Sequence, residues 1–259
     1  MRFSAPLLRA TLIRRYKRFL ADIRLADGTE VTAHCPNPGS MMGLAEPGLT
    51  CWLSDHRGTA RKLPYGWELV EFGGTTPRPH FVGINTNLAN GIVAEALAAS
   101  RIPALRGYAE TRREVRLRQE VRTGTESRLD FHLHDEERGD CFVEVKSVTL
   151  SRRPGLAEFP DARTARGARH LQELARLAQQ GKRAVLLFLL QRDDCRSLRF
   201  AQDIDPGYVA ALQAVAPSIE ILAYACDIGP EGIELAGPVT IELTCPTAFG
   251  RAKSRRLIH

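Results

Sequence analysis

The run Ala184-Val185-Leu186-Leu187-Phe188-Leu189-Leu190 is apolar at all seven positions, starts just after Gly181 and ends at Gln191. It is far too short to span a bilayer, which takes about 20 residues of helix. A strand that is apolar on both pleated faces needs a covering layer on each side. The run therefore predicts a central strand inside an α/β sandwich.

The flanking segments fit that architecture. From Asn85 to Ser100, Leu88, Ala89, Ile92, Val93 and Ala96 follow helical spacing, with Glu95 at the edge of the apolar stripe, pointing toward the domain body. A strand follows at Glu114 to Gln119, then a hairpin from Ser127 to Lys146 and a long loop rich in Arg, Pro and Gly. A helix is predicted from Asp161 to Gln180, stopped by Gly181, with a second helix near Pro206 and an apolar strand at Ile219 to Ala225. Together these give a mixed sheet between helices.

Ahead of residue 83 the pattern changes. Phe19, Ala21, Ile23 and Leu25 alternate with polar neighbours, Asp27-Gly28 makes a turn, and Val31, Ala33 and Cys35 resume the alternation. Further strands at Leu49 to Ser54, Trp67 to Phe72 and Phe81 to Ile84 bring the count to about five, which suits a small OB-like barrel. Pro77 and Pro79 mark the approach to a boundary. The expected division is a barrel over 1–82, an α/β domain over 83–245 and a basic tail, 246–259, without apolar periodicity.

Charge follows the same division. Residues 1–82 hold 11 Lys and Arg against 7 Asp and Glu, 83–245 hold 21 against 23, and the tail holds 4 against none. Basic ends suit a polyanion-binding module joined to a domain whose acids have another task, although solubilising surface charge accounts for them equally well. The N-terminus is charged by Arg2 and has no uninterrupted apolar stretch, so a secretory signal is not expected. Six scattered cysteines without a C-x-x-C pair suggest neither a disulfide framework nor a zinc site. A cytoplasmic protein without a membrane partner is the expectation.

The chemistry concentrates in the hairpin. Arg128, Asp130, His132 and His134 face one side of the first strand, and Phe142, Glu144 and Lys146 alternate along the second. If the turn is symmetric about Glu137, Asp130 lies directly across from Glu144, and Arg128 across from Lys146. Facing Cβ atoms in such a pair are about 4.5–5.5 Å apart. Two carboxylates that close repel unless a cation lies between them. Magnesium, held by Asp130, Glu144 and the Val145 carbonyl, fits that role; His132 and His134 on the same face would widen the choice toward manganese, although solvent-facing strand histidines account for them at least as well.

Lys146 would then orient or deprotonate an attacking water and stabilise charge on a phosphoryl oxygen. The competing reading is a surface network, Asp130 with Lys146 and Glu144 with Arg128, contributing about 0–1 kcal/mol and no chemistry. On the predicted helix, Arg163, Arg166 and His170 share a face able to hold phosphates, or simply to stay wet. No phosphate-binding glycine pattern and no serine nucleophile elbow is present.

Several longer motifs occur in order: Arg15-Tyr16-Lys17-Arg18-Phe19-Leu20-Ala21-Asp22, His34-Cys35-Pro36-Asn37-Pro38-Gly39-Ser40-Met41, Gly83-Ile84-Asn85-Thr86, Arg128-Leu129-Asp130-Phe131, Glu144-Val145-Lys146-Ser147-Val148-Thr149-Leu150 and Phe159-Pro160-Asp161-Ala162. From about Phe3 to Leu243 the chain resembles the sugar fermentation stimulation protein (SfsA) family. The resemblance implies an N-terminal OB-like domain, a C-terminal domain similar to the PD-(D/E)xK nucleases, and DNA binding. It places Asp130, Glu144 and Lys146 on the nuclease motif, with Leu129 where the motif's name has proline, and implies Glu95 as an acidic residue supplied by the preceding helix.

The leading expectation is thus a DNA-binding protein with a magnesium-dependent phosphodiesterase site. Arg15, Lys17, Arg18, Arg61 and Lys62 would contact nucleic acid, single-stranded or duplex. The alternatives are a non-catalytic DNA-binding regulator of sugar-metabolism genes and a protein–protein adaptor, and a homodimer is compatible with either.

Overall fold

The computed structural model describes residues 1–73, 78–117 and 127–242. The basic tail, Pro77 and the end of the strand expected at Glu114 to Gln119 lie outside the described residues, as does Cys245.

Strands β1 (Leu8–Tyr16), β2 (Leu20–Leu25), β3 (Glu30–His34), β4 (Thr50–Asp55), β5 (Tyr65–Phe72) and β6 (His80–Gly83) pair in the order β3-β2-β1-β4-β5-β6. A parallel contact, Ala33↔Tyr65 and His34↔Gly66, brings β3 onto β5 and closes five strands into a barrel. Leu12, Ile23, Leu53 and Trp67 fill it. The expected strands are present, but β1 was missed and Phe19 is 42% exposed rather than inward. A register shift between Leu12 and Arg14 interrupts the alternation of β1, so its sequence has no clean period of two.

A 3-10 turn (Thr86–Leu88) leads into α1 (Ala89–Ala98). Then come β7 (Glu110–Leu117), β8 (Ser127–Asp135), β9 (Gly139–Val148), β10 (Leu150–Arg153), β11 (Gly155–Phe159), α2 (Ala165–Gln179) and β12 (Arg183–Leu190). The described chain ends with β13 (Cys195–Phe200), α3 (Pro206–Val215), β14 (Glu220–Gly229), β15 (Gly232–Pro238) and β16 (Thr240–Glu242). The main sheet runs β15-β14-β12-β9-β8-β7, and a smaller one runs β10-β11-β13-β16.

The apolar run is β12, parallel to both β9 and β14. Val185, Leu187 and Leu189 pack with Ile92, Val93 and Ala96 of α1. Ala184, Leu186, Phe188 and Leu190 pack on the other face with Leu171 and Leu174 of α2 and Leu212 of α3. Burying each of the larger side chains contributes roughly 1.5–3 kcal/mol, so this one strand anchors both layers.

Two expectations need correction. The stretch after Lys146 is not a long loop, because Leu150 pairs with Glu158 and Arg153 with Leu156. The helix expected from Asp161 begins instead at Ala165, where Thr164 Oγ1 accepts the Gly167 N–H at 2.9 Å and caps it. Asp161 and Arg163 are therefore outside the helix, and the side chain of Asp161 accepts the Ser40 N–H of the barrel unit at 3.0 Å. Among the described residues no helix is long and apolar enough to cross a membrane.

Candidate functional site

A cleft of about 480 Å3 lies where the Asn37–Gly39 loop, the start of α1, the β7–β8–β9 sheet and the start of α2 meet. The hairpin register places the acids in it. Phe131↔Val143 through Asp135↔Gly139 are the expected pairs, and their continuation sets Asp130 opposite Glu144. Past Phe131, side-chain bonding takes over from the ladder: Asp130 Oδ2 accepts the Val145 N–H at 2.7 Å, and Oδ1 accepts the Asn90 amide of α1 at 2.7 Å.

Glu144 is 2% exposed. Its Oε1 accepts from Lys146 Nζ at 2.6 Å and from His170 Nδ1, whereas Oε2 is buried without a partner. Arg166 Nε donates to His170 Nε2 at 3.3 Å, an arrangement that puts the ring proton on Nδ1. Lys146 is also largely buried, and its Nζ stands 3.3 Å from His170 Nδ1. Arg128 pairs with Glu114 at 3.3 Å, not with Glu144 or Lys146. The surface-network alternative does not match this buried, differently paired arrangement.

The two carboxylates are driven apart electrostatically. Burial, followed by the charge of Glu144, pushes Asp130 up to about 6, against the opposing effects of the Val145 N–H, Asn90 and Lys146. Burial would also raise Glu144, but the His170 hydrogen bond and the Lys146 charge outweigh it and hold its carboxyl below the ordinary range. Glu144 is thus the carboxylate that ionises first.

Glu95 does not join the site. Its side chain is 59% exposed and pairs with the N-terminal ammonium of Met1 at 2.7 Å. Asn90, five residues earlier on α1 and so on a different face, reaches Asp130 instead. A third acid does line the cleft: Glu114 sits between the pairs Arg113↔Phe131 and Val115↔Leu129, across from Asp130, at φ +52° and 3.3 Å from Asn90 Nδ2. The stretch between β7 and β8 is too long for a tight turn to fix that register from the sequence. Glu158 and Asp161 also line the cleft. Arg152 and Arg199 hold the Glu158 carboxyl down at about 2.

The expected nucleic-acid residues are scattered. Arg166 and His170 line the cleft, and exposed Arg163 does not. Exposed Lys17 and Arg18 form the β1–β2 turn, while Arg61 and Lys62 line a second groove that shares Asn87 with the cleft. Arg15 is committed to structure, donating to the carbonyls of Arg18, Asn37, Gly39 and Ser40. His132 and His134 bond Asp140 rather than turning into the cleft, so they do not widen its choice of metal.

Residues 87–232 match the sugar fermentation stimulation protein RE domain, and residues 13–83 match the SfsA N-terminal OB domain. A sugar fermentation stimulation protein homolog from Paramagnetospirillum magneticum is 51% identical over 245 residues, covering 94% of this chain and 99% of the relative. The Rhodospirillum centenum homolog is 53% identical over 234 residues, 90% of this chain and 96% of the relative. The structure of Pyrococcus furiosus SfsA in complex with Ca2+ is similar at TM-score 0.78 and 26% identity, covering 94% of this chain and 98% of that one. With both domains matched and about half of all positions shared over nearly its whole length, the chain belongs to the sugar fermentation stimulation protein family.

Proposed function

We propose that this protein is a DNA-binding, magnesium-dependent phosphodiesterase whose reacting centre is Asp130, Glu144 and Lys146. The observation that carries the reading is the buried, unpartnered Oε2 of Glu144, in a cleft that also holds a second carboxylate and a lysine. A buried polar atom left unsatisfied costs about 1–3 kcal/mol, and an oxygen-rich donor set of this kind suits a hard divalent cation. Asp130, Glu144 and the Val145 carbonyl would hold it, and the Ca2+ complex of the Pyrococcus furiosus relative supports a divalent ion in this family.

When bound, the ion supplies Lewis acidity toward phosphate and water. The protein's own groups do the rest. Lys146 carries a positive charge to the acids, where charge develops on a phosphoryl oxygen in the transition state. His170 holds Glu144 in place while accepting from Arg166. Arg113 and Arg166, both lining the cleft, can take flanking phosphates, and Lys17, Arg18, Arg61 and Lys62 extend the basic surface over the barrel.

The test is a cleavage assay on single-stranded, duplex and structured DNA and RNA with magnesium or manganese. Wild type should cut at least one of them, while Asp130→Asn should bind without cutting. Salt-dependent binding with no cleavage by wild type would overturn the catalytic reading and leave a DNA-binding regulator.

A further inference from the structure

His132 and His134 of β8 and Asp140 of β9 form a cluster that the cleft does not use. His134 and Asp140 are direct partners in the hairpin register, and His132 is two pairs further along, on the same face. His132 Nε2 lies 3.0 Å and His134 Nδ1 2.8 Å from the same oxygen, Asp140 Oδ1. One ligand atom from each residue lies within 4.8 Å of both others. None of the three lines the Asp130–Glu144 cleft.

We propose that these three side chains are a second metal site, selective for a transition-metal cation of the zinc class. The donor types decide the class: two imidazole nitrogens and one carboxylate oxygen favour zinc, cobalt or nickel, whereas magnesium and calcium prefer oxygen throughout. Zinc bonds of about 2.0–2.2 Å put tetrahedral ligands roughly 3.3–3.5 Å apart, so each ring opens from the carboxylate by a few tenths of an ångström, and the two ring nitrogens, within 4.8 Å of one another, close on the ion by side-chain rotation.

The surroundings hold the donors in place. Lys182 Nζ bonds the other oxygen, Oδ2, and leaves Oδ1 turned toward both rings. His132 stacks on Phe142 with centroids 4.5 Å apart and planes 13° from parallel. Such contacts orient ligands before a metal arrives. In the metal-free protein each ring donates its N–H to Oδ1; to bind the cation, each ring carries that proton on its other nitrogen and offers the freed lone pair. His134 is 42% exposed, so one side of the site is open to the cation and to a water as fourth ligand. A metal here would clip the turn end of the hairpin whose other end carries Asp130 and Glu144.

The test uses the full chain, stripped with a chelator and titrated with Zn2+ by calorimetry and with Co2+ by visible absorption. Wild type should bind a zinc ion that His134→Ala and Asp140→Asn each weaken at least tenfold. His134→Ala removes an exposed ring, so its far-UV circular dichroism should match wild type. Glu144→Gln should retain this zinc, and excess Mg2+ should not displace it. Zinc isotherms identical in wild type and in His132→Ala/His134→Ala would overturn the proposal. So would a zinc ion lost in Glu144→Gln but kept in His134→Ala, because that ion would belong to the cleft. The readout is zinc binding, so a failed cleavage assay leaves the result independent.

Discussion

At the residue scale, Asp130 and Glu144 are both acids in one cleft, yet they respond to pH in opposite directions. A carboxyl whose folded pKa lies above its unfolded value, about 3.9, binds its proton more tightly in the fold. For Asp130, raised to about 6, the contribution to stability is full below the unfolded value, falls as pH climbs toward 6 and stays low above it. In chelator-treated protein, the urea midpoint of wild type relative to Asp130→Asn should therefore fall between about pH 4 and about pH 7. A constant difference across that range would show that Asp130 is not desolvated. Under the proposed function, the same acid that weakens the metal-free fold would be neutralised by the bound cation. Lys146→Ala should retain divalent-ion binding but lower cleavage about 10²–10³-fold, the usual effect of removing one donor from developing charge, measured as kcat under saturating metal.

At the element scale, much was legible and some was not. The run at Ala184 to Leu190 has only one comfortable home, between two layers, and it sits there as β12. Hairpin symmetry about Glu137 was equally readable, because a short polar turn leaves few registers. What could not be read was any pairing across a connection too long for a turn to set the register. Glu114 comes to lie across from Asp130 through the β7–β8 register and a left-handed backbone that no local pattern announces in a non-glycine residue. The family resemblance implied Glu95, which spacing set only at the edge of the apolar stripe, but α1 turns Asn90 toward the cleft instead. The expected outcome is a contrast between two conservative changes. Glu114→Gln should weaken magnesium or calcium binding several-fold in a calorimetric titration, whereas Glu95→Gln should leave it unchanged. It would lose only an exposed pair with Met1, the kind of contact that contributes about 0–1 kcal/mol. Equal effects of the two would place the third acid wrongly.

At the scale of the whole molecule, the cleft exists because two units share a wall. The loop after β3 is gathered by Arg15, turned by Asn37 Oδ1 accepting the Gly39 N–H at 2.8 Å, and joined to the second unit by Ser40 N–H and Asp161. Gly39 and Asp161 are far apart in the chain, so the sequence shows two motifs but not their contact. A Cβ on Gly39 would come within 1.9 Å of Asp161 Oδ2, which explains why the loop can approach only without a side chain there. Gly39→Ala should thus destabilise the protein by expelling that carboxylate, and Asp161→Ala by removing the acceptor of the exposed Ser40 N–H, at about 0.5–1.5 kcal/mol. With both substitutions the methyl group occupies space that the carboxylate has vacated, so the two losses should not add. A double-mutant cycle in urea should return a coupling of about 0.5–3 kcal/mol. Simple additivity would mean that the loop and the second unit do not meet through this pair in solution, and that the shared wall of the cleft is held by other contacts.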